Sequence, residues 1–298
     1  MAQLGFLGLG IMGYPMARHL LEAGHEVALW THSAGKAREL AAKGHGIACA
    51  TPKEVAQRAD FIFFCVGDTA MAQGISSGKD GLLEGVRPGS VTANCSTVSP
   101  AESAEIGALF TVRGAHFLDA PCTGSKAGAE NGTLTFMVGG DQEAFDRAKP
   151  YFEAMGKRLY YCGAAGQGLR AKLTQNLILA NLMQAFAEGL VLAVKNGVDP
   201  ELMLDILDNS AAKSALISAK APFILRRDFQ TNFSTKWMHK DIGLALESAK
   251  ALDLPLPLTA ITEQMLRVAI AKGYGEDDFC STIRVLEDLA GIQVKAGR

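Results

Sequence analysis

Short apolar runs alternate with amphipathic stretches through the first half of the chain. The runs QLGFLG (3–8), EVALW (26–30), FIFFCV (61–66), SVTANC (90–95) and HFLDA (116–120) are rich in aliphatic, aromatic and β-branched residues. Such runs predict buried strands, and TLTFMVG (133–139) and RLYYC (158–162) extend the series. Between them, apolar positions recur at helical spacing near 12–23, 35–43, 53–58, 70–75, 100–112 and 141–154. Strand and helix in alternation predict βαβ units and a mainly parallel sheet.

After Cys162 the pattern changes. GAAGQG (163–168) is a glycine-rich joint, and helical periodicity follows it to about residue 196. NGVDP (196–200) closes that helix, because glycine suits the left-handed stop and proline opens the next helix. Further helices are expected near 200–209, 214–225, 235–252, 257–272 and 279–290, with DLPLPL (253–258) as a proline-punctuated turn. The expected architecture is therefore an α/β domain over 1–164 and an all-helical domain over 165–298, linked by a long helix. That helix would be about 45 Å long at 1.5 Å per residue. Its second half is apolar nearly all round, which predicts burial in a core or a subunit interface. A homo-oligomer, dimer or tetramer, is expected from this.

Composition narrows the class. The 298 residues carry a formal net charge of −2 and are 48% hydrophobic. With a pI near 6.3, neither a nucleic-acid partner nor a polybasic membrane role is indicated. The six cysteines (49, 65, 95, 122, 162 and 280) stand singly, without a C-x-x-C, so no metal site is expected. Scattered thiols suit a reducing cytoplasm. The N-terminus lacks a basic leader, and the apolar stretch 177–194 contains Asn181, Gln184 and Glu188, which a membrane span tolerates poorly. A soluble cytoplasmic protein is expected.

The segment FLGLGIMGYPMARHLLEAGHEV (6–27) holds Gly8, Gly10 and Gly13 at G-x-G-x-x-G spacing, after an expected strand and opening an expected helix. In that context the spacing reads as a dinucleotide-binding, Rossmann-type loop, with Leu9, Ile11 and Met12 completing it. Gly8 permits the tight turn, Gly10 lets a pyrophosphate approach the backbone, and Gly13 lets helix and sheet pack closely. An NAD-selective site usually has an acid at the end of the second strand. VALWTHSA (27–34) has none; it offers Thr31, His32 and Ser33, with Lys36 and Arg38 nearby. Hydroxyls and cations suit a 2′-phosphate, which favours NADP(H) and leaves NAD(H) open.

GLRAKLTQNLI (168–178) places Lys172 and Asn176 four residues apart, one helical turn, on a shared face. On spacing alone, a solvated helix edge is the commoner account of such a pair. NCSTVSP (94–100) ends an expected strand, with Ser99 available as a helix cap.

Four separated motifs resemble the β-hydroxyacid dehydrogenases, the group holding 3-hydroxyisobutyrate dehydrogenase, tartronate semialdehyde reductase and glyoxylate/succinic semialdehyde reductase. They are the glycine loop, DAPCTGSKAGAENGTLTFMVGG (119–140), GQGLRAKLTQN (166–176) and KDIGLALESA (240–249). The resemblance implies that Lys172 is the catalytic proton donor with Asn176 as its helper. It places Thr97 near both nicotinamide and substrate, Thr123 and Gly124 on the substrate carboxylate, and Phe233 and Asp241 beside the substrate. Lys240 then lies on the nicotinamide side, and the loop at Val66 borders the cofactor. Ser125 and Lys126 stand where the hydroxyisobutyrate enzymes have Gly-Gly, which leans toward the glyoxylate/succinic semialdehyde type.

The expected activity is NADP(H)-dependent reduction of a small carboxylate-bearing aldehyde- or keto-acid to its hydroxy acid. Alternatives are an NAD(H)-linked hydroxyisobutyrate or tartronate semialdehyde enzyme, an imine reductase-like enzyme, and a non-catalytic dinucleotide-binding module. Imine reductases generally lack the lysine, so Lys172 favours carbonyl chemistry.

Overall fold

A computed structural model describes residues 2–297 and divides between Lys172 and Leu173 into two compact units. In the first, strands and helices alternate: β1 (Gln3–Leu7), α1 (Gly13–Glu22), β2 (Glu26–Trp30), α2 (Ala34–Ala41), β3 (Gly46–Ala48), α3 (Pro52–Arg58), β4 (Phe61–Phe64), α4 (Thr69–Ser77), β5 (Val91–Asn94) and α5 (Pro100–Val112). There follow β6 (His116–Asp119), β7 (Cys122–Thr123), α6 (Ser125–Glu130), β8 (Leu134–Gly140), α7 (Gln142–Met155) and β9 (Gly156–Gly163). The strands form one sheet in the order β3-β2-β1-β4-β5-β6-β8-β7, with β9 beside β8. From β3 to β6 every pairing is parallel, the order 3-2-1-4-5-6 of a Rossmann-type fold.

The period-2 alternation of each strand supplies two cores. Leu4, Phe6, Val27, Leu29 and Phe63 pack on one face, while Leu7, Ala28, Ile62 and Phe64 pack on the other. Side-chain caps set where several helices start. Thr51 Oγ1 accepts from Glu54 N at 3.2 Å, Asp68 Oδ1 from Met71 N at 2.8 Å, and Asp141 Oδ1 from Ala144 N at 2.8 Å. Ser99 Oγ takes the same role for Glu102 N at 3.4 Å. Among the strands and α-helices of this unit, β3, β7 and α6 had no sequence signal. Each is six residues or fewer, too short for a periodic pattern, and the two strands are defined by their partners in the sheet.

The long helix α8 (Gln167–Lys195) begins in the first unit and continues into the second. With it pack α9 (Pro200–Asp208), α10 (Ala215–Leu225), α11 (Thr235–Lys250), α12 (Pro257–Ala269) and α13 (Ile283–Ala290). Met183, Ala187, Leu190 and Val191 of α8 form a core with Ile217, Ile224, Met238 and Ile242. Within the chain its apolar surface is covered in part: Ile178, Leu182 and Leu192 are exposed, because the helical neighbours in this unit pack on only part of its circumference. By length and composition α8 could cross a membrane. Its packed face and the buried Asn176 and Gln184 are those of a core helix.

Candidate active site

Parallel register brings the candidate loops of the first unit to one edge of the sheet. Leu7 pairs with Trp30 and Phe64, Phe64 with Asn94, and Asn94 with Asp119. The segments that follow therefore leave from aligned carboxyl ends, where ligands meet open α/β sheets. Gly8 has φ +87°, and a Cβ there would fall 2.2 Å from the Cys65 carbonyl oxygen. A Cβ on Gly13 would fall 1.9 Å from the Gly8 carbonyl oxygen, so loop and helix close on each other only with glycine.

Gly10 differs. A Cβ there would meet nothing within 4 Å, so no neighbour in the chain requires glycine. The open space suits a group approaching the backbone from outside. Helix α1 has neither a side-chain cap nor an acid in its first turn, leaving N–H groups and the dipole for an anion. These features fit a dinucleotide pyrophosphate. Leu9 is core, Met12 packs partly against it, and Ile11 is exposed.

Beyond β2, Thr31 is half-buried while His32 and Ser33 are exposed, with the His32 ring 5.1 Å from that of Trp30. Val66 N donates to Ser96 Oγ at 2.8 Å, and Ser96 N donates to Asn94 Oδ1 at 2.9 Å. This chain ties the loop after β4 to the loop carrying Thr97. Asn94 and Ser96 lie within NCSTVSP, but their structural role depends on a neighbouring strand and was not legible there.

Thr123 ends β7, and Gly124 follows at φ +133°, where a Cβ would also crowd Leu134. Ser125 sits at φ +55°, a left-handed conformation that strains a non-glycine residue. Cys122, next to Thr123, is buried, and its thiol is pushed up to about 11 because burial outweighs the opposing charge of Lys172. The ammonium of Lys172 is therefore within electrostatic reach of the strand that leads into this loop. Lys172 itself is only 7% exposed. Asp119, the first residue of the motif 119–140 but given no role by the sequence, accepts hydrogen bonds from Gly166 N and Leu169 N at the start of α8.

The remaining candidates belong to the second unit. Asn176 Nδ2 donates to Asp241 Oδ2 at 2.6 Å, and Lys240 Nζ stands 2.9 Å from Asp241 Oδ1. The helices α8 and α11 thus bring Asn176, Lys240 and Asp241 together around a buried carboxylate. Phe233 precedes α11 and packs on Phe279, at 6.1 Å between ring centres. Its loop is fixed by Asp278, whose Oδ2 accepts from the N–H groups of Asn232 and Phe233 at 3.1 Å. Lys220 pairs with the same carboxylate at 2.7 Å.

Two family models match the chain. One, described as the NAD binding domain of 6-phosphogluconate dehydrogenase, matches residues 3–163. The other, described as NAD-binding of NADP-dependent 3-hydroxyisobutyrate dehydrogenase, matches residues 166–286. Among similar proteins, 2-(hydroxymethyl)glutarate dehydrogenase of Eubacterium barkeri is 36% identical, covering 99% of this chain and 98% of its own. Glyoxylate/succinic semialdehyde reductase 2, chloroplastic, of Arabidopsis thaliana is 34% identical, covering 95% of this chain and 79% of its own. The crystal structure of a 3-hydroxyisobutyrate dehydrogenase from Salmonella typhimurium superposes with a TM-score of 0.86 at 30% identity, covering 96% of this chain and 100% of its own.

Proposed function

The chain belongs to the β-hydroxyacid dehydrogenase family and is an NAD(P)-dependent oxidoreductase acting on CH–OH groups, and from that premise we propose that it reduces a small aldehyde- or keto-acid with NADP(H). Glyoxylate and succinic semialdehyde are the substrates we assign. The observation that carries the reading is a buried lysine, Lys172, in the same compact unit as the glycine loop and the Thr123–Gly124 turn.

A bound nicotinamide supplies hydride to a carbonyl carbon. Negative charge then gathers on the carbonyl oxygen, and an ammonium in a dry site both stabilises it and delivers a proton. Lys172 is the group we assign to that step. The Thr123 hydroxyl and the backbone N–H groups at Gly124 and Ser125 hold the substrate carboxylate. Asn176, one helical turn on and oriented by Asp241, is assigned as the helper. Phe233, Asp241 and Thr97 are assigned to the substrate, with Thr97, Val66 and Lys240 bordering the cofactor.

For the cofactor, Thr31, His32 and Ser33, with no acid between Val27 and Ala34, support a 2′-phosphate. The exposed Ile178, Leu182 and Leu192 support a homo-oligomer, and six free cysteines support a cytoplasmic setting.

The test is oxidation of NADPH and of NADH by glyoxylate, succinic semialdehyde, tartronate semialdehyde and methylmalonate semialdehyde, with 2-(hydroxymethyl)glutarate assayed in the oxidative direction. The first two substrates should give the highest kcat/KM, and NADPH should be preferred. No turnover of any of the four aldehydes would sink the substrate class; a preference for NADH would sink only the cofactor assignment.

A further inference from the structure

We infer that Asp119 is a positioning residue for Lys172, its buried carboxylate latching the first turn of α8 to the end of β6 and so fixing where the lysine ammonium stands. The inference rests on Lys172 being the proton donor.

Asp119 is the last residue of β6 and is 2% exposed. Its Oδ1 accepts from Gly166 N at 2.7 Å and its Oδ2 from Leu169 N at 2.9 Å. The first N–H groups of an α-helix have no acceptor within the helix, and usually the residue just before the helix supplies one. Here the acceptor comes from a strand 47 to 50 residues earlier in the chain. With both oxygens engaged, the carboxylate fixes the turn in rotation as well as position, and its charge complements the helix N-terminus. Burial pushes the carboxyl above its ordinary range, and the N–H groups of Gly166, Leu169 and Gly168 pull it back.

Sterics hold the same turn from a second side. A Cβ on Gly168 would fall 2.3 Å from the Met137 carbonyl oxygen and 2.9 Å from Gly139 N. A Cβ on Gly139 would fall 2.8 Å from Gly168 N and 2.7 Å from Asp119 Oδ1. The turn therefore lies backbone to backbone on β8, with the carboxylate as its lock. Lys172 comes three residues after Leu169 and four after Gly168. Helical side chains lean back over the preceding turn, so that of Lys172 lies over the latched one. The compact grouping that contains the sheet ends at Lys172.

Asp119→Asn tests the latch, because the amide keeps the shape but loses one acceptor and turns an N–H toward a backbone N–H. Misplacement of a reacting group by about 1 Å costs on the order of 100-fold in rate, so kcat should fall by about tenfold to 100-fold. The KM for the aldehyde-acid and the Kd for NADPH should stay within about twofold, the pattern of a defect confined to the chemical step. In a Lys172→Ala background, Asp119→Asn should cause no further loss of kcat. Gly168→Ala, which displaces the turn without altering the carboxylate, should show the same split and the same lack of additivity. Unchanged kcat in Asp119→Asn, or losses that multiply in the cycle, would overturn the inference. Loss of NADPH binding in Asp119→Asn would also overturn it, in favour of a purely structural role. If Lys172→Ala alone turns over normally, the proton-donor assignment itself has failed, which the single variant shows without the cycle.

Discussion

Lys172 and Asp119 show how differently two buried charges announce themselves. A lysine that is 7% exposed carries a desolvation cost that a surface lysine does not. Its charge is felt at Cys122, the residue before the Thr123–Gly124 turn. We expect Lys172→Ala to lower kcat by at least about 100-fold, the scale of a lost general acid, while NADPH binding measured by fluorescence titration stays intact. Near-normal turnover would refute the assignment. In the sequence, Lys172 drew notice through the motif GQGLRAKLTQN and its resemblance to a family, since its spacing to Asn176 also suits a solvated helix edge. Asp119 did not, because its meaning lies in N–H groups at Gly166 and Leu169, far along the chain.

The elements that repeat a pattern were legible, and those defined by their partners were not. Glycine spacing, apolar runs and the cap at Ser99 mark the main strands and helices of the sheet unit. The pairing of α11 with α12 carries a pH dependence of its own. Glu263 on α12 accepts from Arg267 at 2.6 Å and lies 2.7 Å from His239 Nε2 on α11. Burial pushes its carboxyl up, but the bonds from Arg267 and His239 outweigh this and hold it below its ordinary value. A carboxyl whose folded value lies below its unfolded one stabilises the fold above the unfolded value, about 4.3 for Glu. That contribution is lost as the pH falls through the folded value. The Tm should therefore drop on acidification below about pH 4.3, and Glu263→Gln should flatten this part of the profile. Parallel Tm profiles for the two proteins would count against the assignment.

At the scale of the molecule, two compact units each have their own core, and an ion pair lies inside the second. Lys220 Nζ is 2.8 and 2.7 Å from the two oxygens of Asp278, which also accepts from the backbone of Asn232, Phe233 and Cys280. Lys220→Met leaves that buried carboxylate without its counter-ion. Such a loss costs about 3–5 kcal/mol, and the surviving backbone donors place this case near about 3. Thermal denaturation should show the destabilisation, with the NADPH Kd unchanged at low temperature. An unchanged Tm would mean that the pair contributes nothing net.

The sequence by itself determined the alternation of strand and helix, the glycine loop, the switch to an all-helical second half, and the motifs that hold Lys172, Thr123 and Asp241. Local periodicity and turn chemistry encode the first three and act within a few residues; the motifs were read by their resemblance to a family. The tertiary structure alone decided that β7 and β3 are strands, since their definition is a partner in the sheet. It alone gathered Asn176, Lys240 and Asp241 around one buried carboxylate, and left Ile178, Leu182 and Leu192 of an apolar helix exposed. It alone set Asp119 against the start of α8. Hydrogen bonds and burial between distant segments leave no spacing in the sequence to read.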